Sequence, residues 1–341
     1  MTPNQIRHLT SIRDLTREQR FRIYQRADDF RANPTRYASS LAGKKFLLAF
    51  WEPSSRTEDS TWHAAKDCGA IVKSIQQFGE FSSEIKGEAL RDTIRIFGKR
   101  YDCIVMRHGN TLRPDKHGSM KYAPLVAVET VEDFGLDARI VNAGTGSWEH
   151  PTQALLDEDT LRQHRKDKLA SGKITIALIG DVKNSRTIHS LILLLSEYAG
   201  ITCFLVCPNG HTLPDDISSQ LPASSWTLGV AHDIRHIAED VDVFYFTRIQ
   251  KERPGAQEIW RSVSDEEYVA RFGITRELVP LIKPDAIVMH PLPRYAEDPV
   301  TREPTLCEIP FWFDNDPRAK YFEQADNGYY VRAGLFLEMF T

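Results

Sequence analysis

The sequence predicts an α/β protein built from two mainly parallel sheets of similar size, each flanked by helices. Three observations carry that prediction. Short, nearly continuous apolar runs alternate with amphipathic stretches, the pattern of strands buried on both faces and joined by helices. The 341 residues correspond to about two domains at roughly 150 residues each. Hydrophobic residues make up 41% and charged residues 26%, a soluble globular balance that excludes wholesale disorder and a membrane-embedded protein.

In chain order, the first half supplies strands at 44–51 (KKFLLAFW), 69–75 (GAIVKSI), 101–107 (YDCIVMR) and 138–144 (ARIVNAG). The second half supplies 173–181 (KITIALIGD), 201–207 (ITCFLVC), 240–248 (DVDVFYFTR) and 284–292 (PDAIVMHPL). Helices are expected at 57–68, 87–99, 151–164, 185–198 and 264–272. The domain boundary is expected near 146–165, where a long helix follows the fourth strand. HGNTLRPDKHGSMKY (108–122), rich in Gly, Pro and charge, reads as a surface loop. Pro293, Pro299, Pro304, Pro310 and Pro317 forbid regular helix between them. Beyond them, apolar residues at helical spacing predict a long terminal helix, interrupted or bent near Asn327-Gly328.

Lys and Arg total 43 against 47 Asp and Glu, a net charge of −4. Nothing in that balance points to nucleic acid, so any anion-binding site has to be local. The opening MTPNQIRHLTSIRDLTREQRF mixes charges and lacks the apolar run of a signal peptide, from which a cytoplasmic location is expected. Five scattered cysteines form no CxxC pair and read as reduced. Cys203 and Cys207 read as core, because no His or carboxylate accompanies them as a metal would require. Phe311-Trp312-Phe313 reads as an irregular loop packed on the core.

In open α/β sheets, ligands bind beyond the carboxyl ends of the strands. After the first strand, FWEPSSRTEDST opens a helix with Ser54, Ser55, Arg56 and Thr57. Hydroxyls, helix N–H groups and a guanidinium there suit an oxyanion or a phosphate; an N-cap followed by an exposed arginine is the plain alternative. Arg107 follows the strand that ends in VMRHG. In NAGTGSWEHPTQALLD, Gly144 and Gly146 let the chain turn, and His150 and Gln153 fall at the start of a helix with an early proline. The second half repeats the arrangement, with Arg186 in IALIGDVKNSRTIHS, Arg248, Gln250 and Arg253 in DVFYFTRIQKERP, and a Pro-fixed loop in VMHPLPR. GDVKNSR is not a GxGxxG fingerprint, and no acidic residue stands where a ribose would be held, which disfavours a nicotinamide enzyme. Two further arginines suit a ligand that carries carboxylates.

SSRT, VMRH, EHPTQALLD, GDVKNSRTIHS, TRIQKER and HPLPR, in that order from residue 54 to 294, with the terminal YFEQADNGYYVRAGL, resemble the motif series of the aspartate carbamoyltransferases. HPTQ and HPLPR favour the aspartate branch over the ornithine branch. The resemblance implies a carbamoyl-phosphate domain over 1–150, an aspartate domain over 151–316, and a terminal helix (about 317–341) that packs back on the first domain. It implies that Ser54, Ser55, Arg56 and Thr57 hold the phosphate and that Arg107 bridges phosphate and carbonyl oxygen. His150 and Gln153 would contact the carbamoyl group, and the backbone carbonyls of Leu292 and Pro293 its amino end. Ser82 and Lys86 resemble the family's loop that enters the neighbouring subunit's site. Arg186, Arg248 and Gln250 would bind aspartate, and Glu52 and Arg253 resemble residues that pair across the domains. The implied catalytic set is Arg56, Thr57, Arg107 and His150, with neither metal nor organic cofactor. The implied assembly is a homotrimer with shared sites, alone or with regulatory or dihydroorotase-type chains, acting on carbamoyl phosphate and L-aspartate in pyrimidine biosynthesis.

Against the family pattern, Ser55 keeps the hydroxyl of the usual threonine. Glu58 and Asp59 set two carboxylates beside the phosphate loop, and the segments 109–137 and 297–315 are extended. A carbamoyltransferase for another amino acid is the near alternative, and a non-catalytic scaffold the distant one. The presence of Arg56, Thr57, Arg107, His150 and Gln153 speaks against the scaffold.

Overall fold

A computed structural model of the chain describes residues 5–81, 86–109, 111–222, 224–248, 263–294, 296 and 307–341. The chain divides into two compact units, Met1–Asp159 with Asp326–Thr341, and Thr160–Ala325. The first contains α1 (Arg17–Ala32), β1 (Lys45–Phe50), α2 (Ser55–Asp67), β2 (Ile71–Gln76), α3 (Phe78–Phe81) and α4 (Leu90–Phe97). It continues with β3 (Cys103–His108), β4 (Arg113–Pro114), β5 (Met120–Lys121), α5 (Ala123–Asp133) and β6 (Arg139–Thr145). Helix α6 (Pro151–Ser171) leads into β7 (Ile174–Ile179), α7 (Arg186–Leu195), β8 (Ile201–Val206), α8 (Asp215–Ser218) and β9 (Thr227–Ala231). The second unit continues through β10 (Val243–Phe246), α9 (Asp265–Phe272) and β11 (Ile287–Met289), and α10 (Tyr321–Phe340) closes the chain. Against an expected division at 150/151 and a return at 317, the compact units divide inside α6 and inside α10.

This is the expected α/β architecture. One parallel sheet has the order β2-β1-β3-β6, the other β11-β10-β7-β8-β9. Central strands are buried along almost their whole length: β1 from Phe46 onwards, and β10 throughout. That is why they read as continuous apolar runs. In the first unit, Leu47, Ala49, Ile104, Met106 and Ile140 pack against Leu90 and Ile94 of α4 and Val126 and Ala127 of α5. In the second, Ile179, Phe244, Phe246 and Val288 pack with Tyr268 and Phe272 of α9. Cys203 and Cys207 are both buried core side chains, and that burial raises their thiols to about 12. Among the described residues, no helix is long and apolar enough to cross a membrane.

Four expectations need correction. The segment 108–122 is not wholly loop, because β4 and β5 pair as an antiparallel ribbon, Arg113 with Lys121 and Pro114 with Met120. Its turn is held by Asp115, whose carboxylate accepts N–H groups of His117 and Ser119 at 2.8 Å each, a local Asx bond that competes well with disorder. Strand β9 was missed, since Leu228 and Val230 are exposed on this edge strand and no buried run announces it. The terminal helix is not interrupted at Asn327-Gly328. A Cβ at Gly328 would stand 2.4 Å from Arg332 Nη1 and 3.2 Å from Leu156 Cδ2, so this glycine serves close packing rather than a break. Finally, Phe313 is buried but Phe311 and Trp312 are exposed; each of those two rings carries an arginine, Arg294 and Arg276 respectively.

Candidate active site

Strand order locates the site before any side chain is considered. In the first sheet, β2 lies on one side of β1 and β3 on the other, so the carboxyl ends of β1 and β3 form a topological switch point where a ligand can enter. In the second sheet the same reversal lies between β7 and β10. The sequence-predicted cations follow these four strands: Arg56 after β1, Arg107 within the end of β3, Arg186 after β7 and Arg248 after β10.

At the first switch point, Phe50 and Arg107 are register partners, and Trp51 N–H donates to the Arg107 carbonyl at 2.8 Å. The Trp51 ring packs on Phe78 at 4.5 Å and His108 at 5.0 Å, which fixes the turn from β1 into α2. Ser54 stands at the N-cap of α2, yet its side chain makes no capping bond. Helices α1, α7 and α9, by contrast, are capped by the hydroxyls of Thr16, Ser185 and Ser264. The first turn of α2 therefore presents N–H groups without a side-chain cap, which suits an anion. Thr57 is buried, whereas Ser55 and Arg56 are exposed. Arg56 is nevertheless recessed enough that loss of water lowers its guanidinium below the usual arginine range, a penalty that a bound anion offsets. Asp59, one of the two carboxylates beside the phosphate loop, lies 3.6 Å from His63 one turn further along α2. Glu52 approaches the backbone of Gly109, where an added Cβ would meet its Oε1 at 3.3 Å.

Arg107 is partly buried and donates from Nη1 to the Ala143 carbonyl at 3.3 Å. The loop from β6 to α6 is pinned from below. Buried Asn142 accepts from Gly144 N–H and the Thr145 hydroxyl at 2.9 Å each and donates to the Thr10 carbonyl at 2.9 Å. Glu149 accepts Ile12 N–H at 3.0 Å. This anchoring delivers His150, 4% exposed, to the residue before Pro151. One turn on, Gln153 donates from Nε2 to Asp157 at 2.8 Å. A histidine and an amide held this firmly can offer donors to a planar carbonyl without reorganising.

At the second switch point, Gly180 at φ +110 lets the end of β7 pass β10. A Cβ there would stand 2.4 Å from the Thr247 carbonyl. Buried Asp181 then accepts from the Asn184 side-chain amide at 2.9 Å, and His189 Nε2 lies 3.1 Å from the Val182 carbonyl, closing the loop that ends in Arg186. Arg186 and Arg248 are both partly buried. His290 lies beneath the Pro-fixed loop. Leu292 N–H donates to its Nδ1 at 2.7 Å, which leaves Nε2 to donate to Glu308 at 2.8 Å. Leu292 and Pro293 are joined by a cis peptide bond. Lys86 is exposed. Ser82, Gln250 and Arg253 lie outside the described residues. Sequence reasoning missed Ser60, Thr152, Asp157 and Arg332 behind the first half-site; the available signal was one arginine inside the apolar helical run YYVRAGLFL.

Comparison with known proteins agrees with this geometry. Residues 7–163 match the aspartate/ornithine carbamoyltransferase carbamoyl-P binding domain, and 172–339 match the Asp/Orn binding domain. An aspartate carbamoyltransferase catalytic subunit of Saccharolobus islandicus is 36% identical over 337 residues, 98% of this chain and 97% of that protein. The chloroplastic aspartate carbamoyltransferase 1 of Pisum sativum is 35% identical over 315 residues, 92% of this chain and 73% of that protein. Among solved structures, Trypanosoma cruzi aspartate transcarbamoylase in complex with carbamoyl aspartate and phosphate superposes with a TM-score of 0.81 at 30% identity. That match covers 100% of this chain and 98% of that one. With both halves matched along nearly their full length, the chain belongs to the aspartate/ornithine carbamoyltransferase family.

Proposed function

We propose that the chain transfers the carbamoyl group of carbamoyl phosphate to the α-amine of L-aspartate, giving N-carbamoyl-L-aspartate and phosphate, a step of pyrimidine biosynthesis. The observation that carries this reading is that each of the two sheets has its own switch point, each followed by its own kind of anion-binding residues. Uncapped N–H groups, hydroxyls and Arg56 suit the phosphate, while Arg186 and Arg248 suit carboxylates. The substrates and product held by the Trypanosoma cruzi enzyme support the same assignment.

The amine attacks the carbamoyl carbon, a C–N bond forms, and the carbonyl π pair moves onto oxygen. Collapse of the tetrahedral intermediate breaks the C–O bond to phosphate, which leaves with the proton the amine gives up. Thr57, Arg107 and His150 stabilise the oxyanion, each such donor contributing about 10²–10³ in rate. Ser54, Ser55 and Arg56 hold the departing phosphate, and Gln153 orients the carbamoyl amide. Gln250 joins Arg186 and Arg248 in holding aspartate; an ornithine side chain, being cationic, would be repelled there.

The test is carbamoyl transfer by the purified chain to a panel of amines, with L-aspartate and L-ornithine among them. Product with L-aspartate, inhibited by N-(phosphonacetyl)-L-aspartic acid, is expected. Transfer to a different amine would replace the acceptor, and transfer to none would remove the enzymatic reading. We further assign the active form to a cytoplasmic homotrimer in which Lys86 serves the neighbouring subunit. Among the described residues, Lys86 makes no ion pair that would hold it elsewhere. Mixing inactive Lys86→Ala and Arg56→Ala chains is expected to regenerate activity in mixed trimers. Silence in hybrids verified by native mass spectrometry would place Lys86 outside a shared site.

A further inference from the structure

The terminal helix α10 is apolar along most of its buried face, yet it carries Arg332 with only 3% of the residue exposed. A guanidinium in such a place requires several partners to offset its desolvation. Nη1 donates to Ser60 Oγ at 3.0 Å and Nη2 to Thr152 Oγ1 at 3.5 Å. Asp157 supplies the opposing charge, while burial, the larger effect, brings the guanidinium down to about 10. Each partner is itself attached to the carbamoyl-phosphate half-site. Ser60 donates its hydroxyl to the Arg56 carbonyl at 2.6 Å in the first turn of α2. Thr152 Oγ1 lies 3.3 Å from His150 Nδ1, and Asp157 accepts from Gln153 at 2.8 Å. One side chain thus reaches the elements that present Arg56, His150 and Gln153. The glycine at 328 clears the space for its guanidinium.

The direction of these bonds has a chemical consequence. Arg332 gives the Thr152 oxygen an N–H to accept and polarises the hydroxyl proton, and His150 Nδ1 at 3.3 Å is an acceptor within reach of that proton. Placing the proton there leaves the imidazole proton on Nε2. We propose that Arg332 is a positioning residue for carbamoyl transfer: through Thr152 it holds His150 as the Nε2–H tautomer, and through Ser60 it fixes the first turn of α2. The proposal rests on the carbamoyltransferase reading for its kinetic consequences, but the tautomer can be measured without turnover.

Thr152→Val removes the hydroxyl and keeps the shape, and Arg332→Met removes the donor. The full chain labelled with ¹⁵N-histidine gives the tautomer, the His150 signals being assigned by their loss in His150→Asn. The wild type is expected to show His150 protonated on Nε2, and Thr152→Val a mixed population. Carbamoyl-phosphate kcat/KM is expected to fall about 10- to 100-fold in Thr152→Val and in Arg332→Met, with the aspartate KM changed much less. Arg332→Met leaves Asp157 buried without that opposing charge and can unfold the first unit; Thr152→Val keeps the test decisive in that event. An unchanged tautomer with unchanged carbamoyl-phosphate kinetics in Thr152→Val overturns the proposal. A wild-type chain without carbamoyl transfer overturns the functional reading instead, and the tautomer measurement then judges the hydrogen-bond chain by itself.

Discussion

Arg56→Ala is expected to lower kcat/KM for carbamoyl phosphate by about 10²–10³, roughly 2.7–4 kcal/mol of transition-state stabilisation. The thermal midpoint should stay close to wild type. Both halves of the expectation come from the position of the side chain. No hydrogen bond or ion pair of the Arg56 guanidinium is found among the described residues, and the residue is exposed, so the fold loses little when it is truncated. Loss of surrounding water nevertheless lowers its guanidinium below the ordinary range. A phosphate beside the guanidinium would offset that loss of water, and the attraction grows as charge moves onto the leaving group. Arg56→Lys keeps the charge but not the planar fork, and should fall between alanine and wild type. Steady-state kinetics with a melting curve for each variant would decide. Near-normal kinetics in Arg56→Ala would remove this residue from the phosphate site and leave the uncapped turn of α2 without its main argument.

What could be read from the sequence follows from where each signal is stored. Strands β1, β3, β7 and β10 are covered on both faces, so burial wrote continuous apolar runs into them. The site cations were legible because topology confines ligand contacts to the ends of those strands. Edge strand β9 and ribbon β4–β5 expose much of their surface and carry no such run. Helix α1 was missed because its buried face includes Arg20, a residue that looks like surface. Gly328 was misread because its purpose depends on Arg332, a contact across α10 that no local rule encodes. The same holds for Ser60, Thr152 and Asp157. Each is an ordinary helix residue until the neighbouring helix supplies a guanidinium.

The buried acids of α6 give the largest expected effect on stability. Asp157, Glu158 and Asp159 are consecutive, so they point about 100° apart around the helix, and each is associated with a different arginine. Glu158 accepts from Arg20 Nε at 2.9 Å and Asp159 accepts from Arg31 Nη2 at 3.0 Å, while the charge of Asp157 favours the Arg332 guanidinium. Arg20 and Glu158 are both enclosed, with side chains 1% and 3% exposed. Tyr24 also donates to Glu158, and burial, reinforced by that carboxylate, holds the phenol well above its usual range so that it stays a donor. Arg20→Met should therefore cost about 3–5 kcal/mol, because it leaves Glu158 buried without its guanidinium. Arg20→Met combined with Glu158→Leu should recover most of that loss, since a well-packed apolar pair dispenses with both desolvation penalties. Urea unfolding of the two variants beside wild type measures this, with limited proteolysis to identify which unit opens. If Arg20→Met unfolds at the wild-type midpoint, α1 is held to α6 by its apolar contacts alone. If the double variant is no better than the single one, the pair supplies a geometric fit between the helices that leucine and methionine cannot replace.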